Sequence, residues 1–134
     1  MRIAAVVPAR NGRGWLDGCL RALAAQERPF DETVVVDDAS TDGTREALAR
    51  DWPVVRVVAL ERQAGFAAAA NRGVAEVAGC DAVALVNTDV ELAPDWLART
   101  AAALEGDTGA AAMPRRCARS RPPRAATTSH ASWR

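Results

Sequence analysis

The chain has no lysine and no tyrosine, and histidine occurs once, at His130. All 17 basic residues are arginine, a bias that reads as coding composition rather than chemistry. Aromatic residues make up 4% of a chain that is 49% hydrophobic, so a core has to be built on small side chains, alanine above all. His130 stands in a C-terminal segment without a folding pattern, which argues against histidine catalysis. Cys19, Cys80 and Cys117 are far apart, odd in number and without metal-ligand spacing; they read as reduced thiols of a cytoplasmic protein. No apolar run approaches the ~20 residues of a membrane-spanning helix. The first residues pass straight into a short apolar run, so no targeting segment is expected.

Acid is also missing, but only locally. All 17 acidic residues lie at or before Asp107, while six arginines follow Pro114. The part before Met113 therefore carries eleven arginines against 17 acids, a charge of −6. An acidic body argues against nucleic acid as a partner, because phosphate backbones are bound through basic surfaces. At 134 residues the chain is one domain by size, able to bury roughly two thirds of its unfolded surface. Residues 1–113 are expected to form the folded body. Residues 114–134 have no apolar period and read as a basic, disordered tail.

Within the body, short valine-rich runs alternate with helical patterns. Residues 3–7, 33–36, 54–60 and 82–86 read as strands, and 110–113 as the start of a fifth. Leu16, Cys19, Leu20 and Leu23 fall at i, i+3, i+4 and i+7, one face of a helix that ends before Pro29. Asp42 or Thr44 is expected to cap a helix through about residue 50. Phe66, Ala69, Ala70, Gly73, Val74 and Val77 share another helical face, with small residues that permit close approach to a sheet. Pro94 and Asp95 suit the first turn of a helix whose inner face carries Leu97, Thr100, Ala101 and Leu104. Strand–helix units of about 25 to 30 residues predict a mostly parallel sheet with helices on both faces, a three-layer α/β/α fold. Ligands of such sheets bind beyond the carboxyl ends of the strands.

Three segments fall at such ends. Asp37 and Asp38 close an apolar strand; adjacent carboxylates repel, so donors or a cation are expected nearby. They suit a nucleobase N–H or ribose hydroxyls, or equally turn formation and helix capping with Ser40 and Asp42. Asn87-Thr88-Asp89 offers oxygen ligands to a hard cation, Mg²⁺ or Mn²⁺, with Asp89 as the ligand and phosphate and water completing the shell; the alternative is a simple Asx turn. Gly65 would let backbone approach a ligand at a helix start. Arg72, two turns on beside Asn71, either faces a diphosphate or is a solvated surface arginine.

Taken in order, these segments resemble glycosyltransferases of family 2. The residues are Val6-Val7-Pro8-Ala9-Arg10-Asn11-Gly12, then Val35-Val36-Asp37-Asp38-Ala39-Ser40-Thr41-Asp42-Gly43-Thr44. Next come Gln63-Ala64-Gly65-Phe66-Ala67 with Ala70-Asn71-Arg72-Gly73, and last Leu85-Val86-Asn87-Thr88-Asp89-Val90-Glu91-Leu92 with Pro94 and Trp96-Leu97. Each is weak alone, and the ordered set is specific. The glycine–asparagine segment and the Asn-x-Asp form look most like the rhamnosyltransferase-type branch.

The resemblance implies a GT-A fold, a nucleotide-diphospho-sugar donor, most simply a dTDP- or UDP-sugar, and a divalent cation. It implies that Pro8, Ala9 and Arg10 line the nucleotide pocket, that Asp38 contacts the base with Asp37 supporting the loop, and that Asp89 holds the metal. Gly65, Asn71, Arg72 and Asn87 would complete the donor site. Asn87 stands where the family's Asp-x-Asp motif has its first acid. The implied reaction transfers the sugar, with inversion, to a saccharide or lipid-linked acceptor in cell-wall or polysaccharide biosynthesis. The family's base is a carboxylate downstream of that motif. No acid follows Asp107, so the base and the acceptor-binding half are expected to be absent, as from a truncated gene. Peripheral membrane association of a longer form is compatible with the acceptor class. Two other readings stay open: a noncatalytic nucleotide-binding module, and a nucleotidyltransferase-like domain, of whose glycine-rich basic loop Arg10-Asn11-Gly12-Arg13-Gly14 is a partial imitation.

Overall fold

A computed structural model describes residues 1–106 together with the two-residue strand at 118–119. The elements run β1 (Ile3–Ala9), α1 (Leu16–Ala24), β2 (Glu32–Asp37), α2 (Thr44–Asp51), β3 (Arg56–Ala59), α3 (Phe66–Glu76), β4 (Ala82–Leu85), β5 (Val90–Glu91), α4 (Trp96–Gly106) and β6 (Ala118–Arg119). The four main strands are parallel, in the order β3-β2-β1-β4. The expected three-layer α/β/α arrangement forms.

Alternation along the two central strands sorts the core. Ala4 and Val6 of β1 and Val34 and Val36 of β2 face α3 through Ala69, with Val77 just beyond the helix. Ala5, Val7, Ala9 and Val35 face the opposite layer, Leu16, Cys19, Leu20 and Leu23 of α1 and Leu48 of α2. α4 seats Leu97 and Ala101 on Ile3. Buried Gln26 fixes that helix to α1: its Nε2 donates to the Ala93 carbonyl at 2.8 Å and its Oε1 accepts from the Leu97 N–H at 2.9 Å.

Small residues on α3 do what their pattern predicts at one position above all. A Cβ on Gly73 would overlap Val6 Cγ1 and stand 2.9 Å from Val36 Cγ2, so only glycine lets the helix lie this close to β1 and β2. The predicted face is too wide, however: Phe66 is 55% exposed and Val74 43%. Val74, about 100° on from Gly73, is turned to the helix flank, whereas Phe66 shares the Gly73 stripe at i−7 and stands at the first residue of the helix. The third strand is also shorter than its apolar run, because Val54 stands in the turn before β3 and is exposed.

Neither expected residue is the helix cap of α2. Gly43 takes that position with φ 83°, and Asp42, one residue earlier, accepts from the Thr44 N–H at 3.0 Å. The predicted fifth strand at 110–113 lies outside the described residues. So does the expected tail, except that Ala118–Arg119 pairs antiparallel with β5.

Candidate donor-binding site

The sheet order places a topological switch at β1, whose neighbours β2 and β4 are reached by crossovers in opposite directions. Open α/β sheets bind ligands at such a point, outside the carboxyl ends of the strands. Here β1 outruns β4: their register ends at Val6 opposite Leu85, while β1 and β2 stay paired to Ala9 opposite Asp37. Pro8 therefore sits where the β4 ladder has stopped, which is where a strand tolerates a residue without an N–H. Pro8 and Ala9 are buried at this end, and Arg10 emerges to solvent.

The loop after β1 is fastened to the loop after β2. Arg10 Nη1 donates to the carbonyls of Asp38 (2.9 Å) and Ala39 (3.3 Å). The Asn11 N–H donates to Ser40 Oγ at 2.9 Å, and Asn11 Oδ1 accepts from the Thr41 N–H at 2.8 Å. The Arg13 N–H donates to Asp42 Oδ2 at 3.1 Å. Burial works against the charge on Asp42, but the Thr44 hydroxyl and the backbone N–H groups of Arg13 and Thr44 outweigh it and lower its pKa. Two non-glycine residues of these loops hold positive φ, Asn11 at 50° and Ala39 at 55°. Asparagine enters that region readily, whereas alanine does so at a cost of about 1–2 kcal/mol.

Both adjacent carboxylates are buried, Asp37 at 0% and Asp38 at 3% exposure. Asp37 Oδ2 accepts from Arg45 Nη2 at 2.8 Å and Nε at 3.1 Å, while Oδ1 is buried without a partner among the described residues. Arg45 Nη2 also reaches the Leu60 carbonyl at 3.2 Å, at the end of β3. Asp38 turns the other way: its Oδ1 accepts from the Ala64 N–H at 2.7 Å and its Oδ2 from the Gly65 N–H at 2.9 Å. Gly65 precedes α3 with φ 91° and has open space around its missing side chain, so glycine is required there by backbone conformation, not crowding. Its N–H donates to Asp38, so at this residue the helix start is joined to the end of β2.

The fourth segment joins from the β4 side. Thr88 packs against the first loop, with its Cγ2 3.4 Å from where a Cβ on Gly12 would be. Beneath it, Cys19 Sγ–H of α1 donates to the Asn87 carbonyl at 3.5 Å. Asn87 and Asp89 are exposed. Among the described residues no three His, Cys, Asp or Glu side chains gather as a metal cage. One carboxylate with one neutral amide oxygen suits a hard cation that brings phosphate and water ligands of its own, and does not suit a closed all-protein site.

Pro8, Ala9, Arg10, Asp37, Asp38 and Gly65 are thus brought together, with Asn87 and Asp89 on the adjoining loop. Arg72 is not part of that cluster. Its guanidinium pairs with Glu76 at 2.9 Å, and Glu76 also pairs with Arg56 at the start of β3, the opposite end of the sheet. Asn71 is exposed on the same helix. Arg45 is the residue that sequence reading misses. Its signal is faint but physical: arginine in the first turn of α2 opposes the helix dipole, which makes sense only with a specific acidic partner.

Comparison with known proteins finds related sequences and related folds. The succinoglycan biosynthesis protein ExoO of Rhizobium meliloti is 36% identical over 95 residues, 70% of this chain and 27% of ExoO. The crystal structure of TarS 1–349 of S. aureus superposes with a TM-score of 0.68 at 27% identity, covering 79% of this chain and 33% of that one, and TarS is also known in complex with UDP and with UDP-GlcNAc. The mannosyltransferase PcManGT of Pyrobaculum calidifontis, in complex with GDP-Man and Mn²⁺, gives a TM-score of 0.67 at 30% identity, over 77% of this chain and 32% of that one. The chain spans about a third of the length of the curated relatives it matches, 27% to 36%. The sequence model of glycosyl transferase family 2 matches residues 4–133, and the chain belongs to that family.

Proposed function

We propose that this chain binds the nucleotide-diphospho-sugar donor of a glycosyl transfer. The observation that carries this reading is the convergence of the loops after β1, β2, β3 and β4 at the switch point, fastened to one another by side chains that the sequence places at strand ends. The pocket wall is Pro8, Ala9 and Arg10 with Asp37, Asp38 and Gly65. Asn87 and Asp89 stand on the β4 side, with Asn71 and Arg72 farther along α3. The UDP, UDP-GlcNAc and GDP-Man complexes of the neighbours support a nucleotide-sugar ligand. A dTDP- or UDP-sugar is the donor we favour for this chain.

Asp89, with Asn87 beside it, would hold Mg²⁺ or Mn²⁺. Bound with the donor, such an ion offsets charge on the departing nucleoside diphosphate. The chain's own residues bind and orient the donor so that its anomeric carbon is open to an acceptor hydroxyl. On this reading the transfer proceeds with inversion to a saccharide or lipid-linked acceptor, in the cytoplasm, in the assembly of a cell-wall or other polysaccharide. No residue of this chain is assigned as the base that takes the acceptor proton.

Calorimetric titration of the chain with UDP and dTDP, with and without Mn²⁺, tests the reading. Binding is expected to strengthen with Mn²⁺ in the wild type and to lose that dependence in Asp89→Ala. Silence at about 1 mM with every nucleoside diphosphate, less than roughly 4 kcal/mol of binding, would refute it. Binding without turnover of any sugar nucleotide would favour the noncatalytic module.

A further inference from the structure

We infer that Arg62 helps to select the nucleobase of the donor, by donating from its guanidinium to a ring carbonyl. This rests on the donor-binding reading above and adds to it a residue that sets base preference.

Residues 1–106 hold eleven arginines. Ten of them donate from their side chains to carboxylates or backbone carbonyls of the chain. Arg62 is the eleventh, and its guanidinium has no partner among the described residues. The arginines of the neighbouring loops are engaged in holding the site together. Arg10 donates to the carbonyls of Asp38 and Ala39, Arg13 to that of Asp42, and Arg45 to Asp37 and the Leu60 carbonyl. In a body where acids outnumber arginines, Arg62 is the guanidinium at this end of the sheet that still has all its donors to offer.

Its place is fixed although its side chain is free. On one side the Leu60 N–H donates to the Asp37 carbonyl at 2.9 Å, and the Leu60 carbonyl accepts from Arg45 at 3.2 Å. On the other, the N–H groups of Ala64 and Gly65 donate to Asp38 at 2.7 and 2.9 Å. Glu61, Arg62 and Gln63 thus form a short span between two tied points, and all three are exposed. A span tied at both ends has little backbone freedom left to lose when a ligand binds.

Position in the sheet decides which part of the donor Arg62 meets. The order β3-β2-β1-β4 puts β3 three strand spacings from β4, ~14 Å. Asp89 follows β4, so a diphosphate held there with a cation lies across the pocket from Arg62. The nucleobase is the other end of the donor, and it is the part that reaches the loop after β3. A guanidinium carries donors only. At ring position 4 thymine and uracil present a carbonyl acceptor, whereas cytosine presents an amino donor. Arg62 therefore favours uridine and thymidine nucleotides over cytidine nucleotides.

Competition binding on the whole 134-residue chain tests this, with UDP, dTDP and CDP as probes in the presence of Mn²⁺. The wild type is expected to bind UDP and dTDP more tightly than CDP. Arg62→Ala should weaken UDP and dTDP about tenfold and CDP little, so that the preference collapses. Arg62 is exposed and unpaired, so thermal unfolding of the variant is expected to match the wild type. An equal loss for all three nucleotides would assign Arg62 to the diphosphate and overturn the base contact. Unchanged affinities would make it a solvated surface arginine, and a wild type without preference between UDP and CDP would equally overturn the inference; both results leave the donor reading standing. If the wild type binds none of the three, the donor reading fails and the role of Arg62 falls with it.

Discussion

Replacing Gly73 with alanine sets two effects against each other, and the structure determines which prevails. Helix propensity alone favours alanine over glycine by about 1 kcal/mol in a helix interior. The new methyl, however, would overlap Val6 Cγ1 and stand 2.9 Å from Val36 Cγ2. Both valines are fully buried, on adjacent paired strands, and their branched Cβ atoms restrict rotation out of the way. Overpacking by a methyl costs about 1–3 kcal/mol, and contact with two rigid neighbours puts this site at the upper end. Subtracting the propensity gain leaves a net loss of about 2 kcal/mol, a fall in Tm of about 5–10 °C for a domain of this size. Thermal and urea unfolding of Gly73→Ala, followed by circular dichroism, measure it. Ala68→Gly, at an exposed position of α3, provides the reference and should lose about 1 kcal/mol by propensity alone. An unchanged or raised Tm for Gly73→Ala would show that α3 has room above the sheet, and would refute the close seat inferred here.

Two further perturbations test the loops. At Ala39, φ 55°, glycine removes a left-handed strain of about 1–2 kcal/mol at an entropic cost of about 0.4–1 kcal/mol. Ala39→Gly should therefore be slightly more stable than wild type and Ala39→Val clearly less, and the reverse order in urea midpoints would contradict the strained loop. Asp42 has a folded pKa below its ordinary value, so its contribution is fully present above the unfolded value and is lost as pH falls through the folded one. Asp42→Ala should cost about 1 kcal/mol at neutral pH, and its gap from wild type should close below about pH 4; a gap independent of pH would mean that the charged carboxylate is not what holds Arg13 and Thr44.

The layers were legible because their signals are periodic. The heptad-like spacing from Leu16 to Leu23 and the valine runs require burial on a stated face, and the structure buries them there. Motif order likewise located the loops that converge. The less legible features depend on contacts distant in sequence. The pattern of α3 puts Gly73 on the sheet face but does not name the two valines it meets, nor show that Phe66 and Val74 are exposed. The cap at Gly43 needs a left-handed backbone that the Asp42–Thr44 pattern permits but does not dictate. Gln26, 71 residues before the Leu97 N–H that it accepts, looks like any polar residue at a helix end.

The adjacency of Asp37 and Asp38 then has a physical account. Two neighbouring carboxylates, both almost fully buried, each need hydrogen-bond donors of their own. At the end of a strand successive side chains point to opposite sides, so the two charges diverge, and each meets its own compensation. Asp37 has the Arg45 guanidinium; Asp38 has two backbone N–H groups beside a helix start. Both compensations also reach the segment leaving β3, through the Leu60 carbonyl in one case and Ala64 and Gly65 in the other. Burial of the pair thus fixes the relative placement of β2 and the loop after β3, which a single carboxylate could fix at one point only. Of the four carboxylate oxygens, Asp37 Oδ1 is the one without a partner among the described residues, so of the two residues it is Asp37 that retains an unfilled acceptor at the end of the sheet.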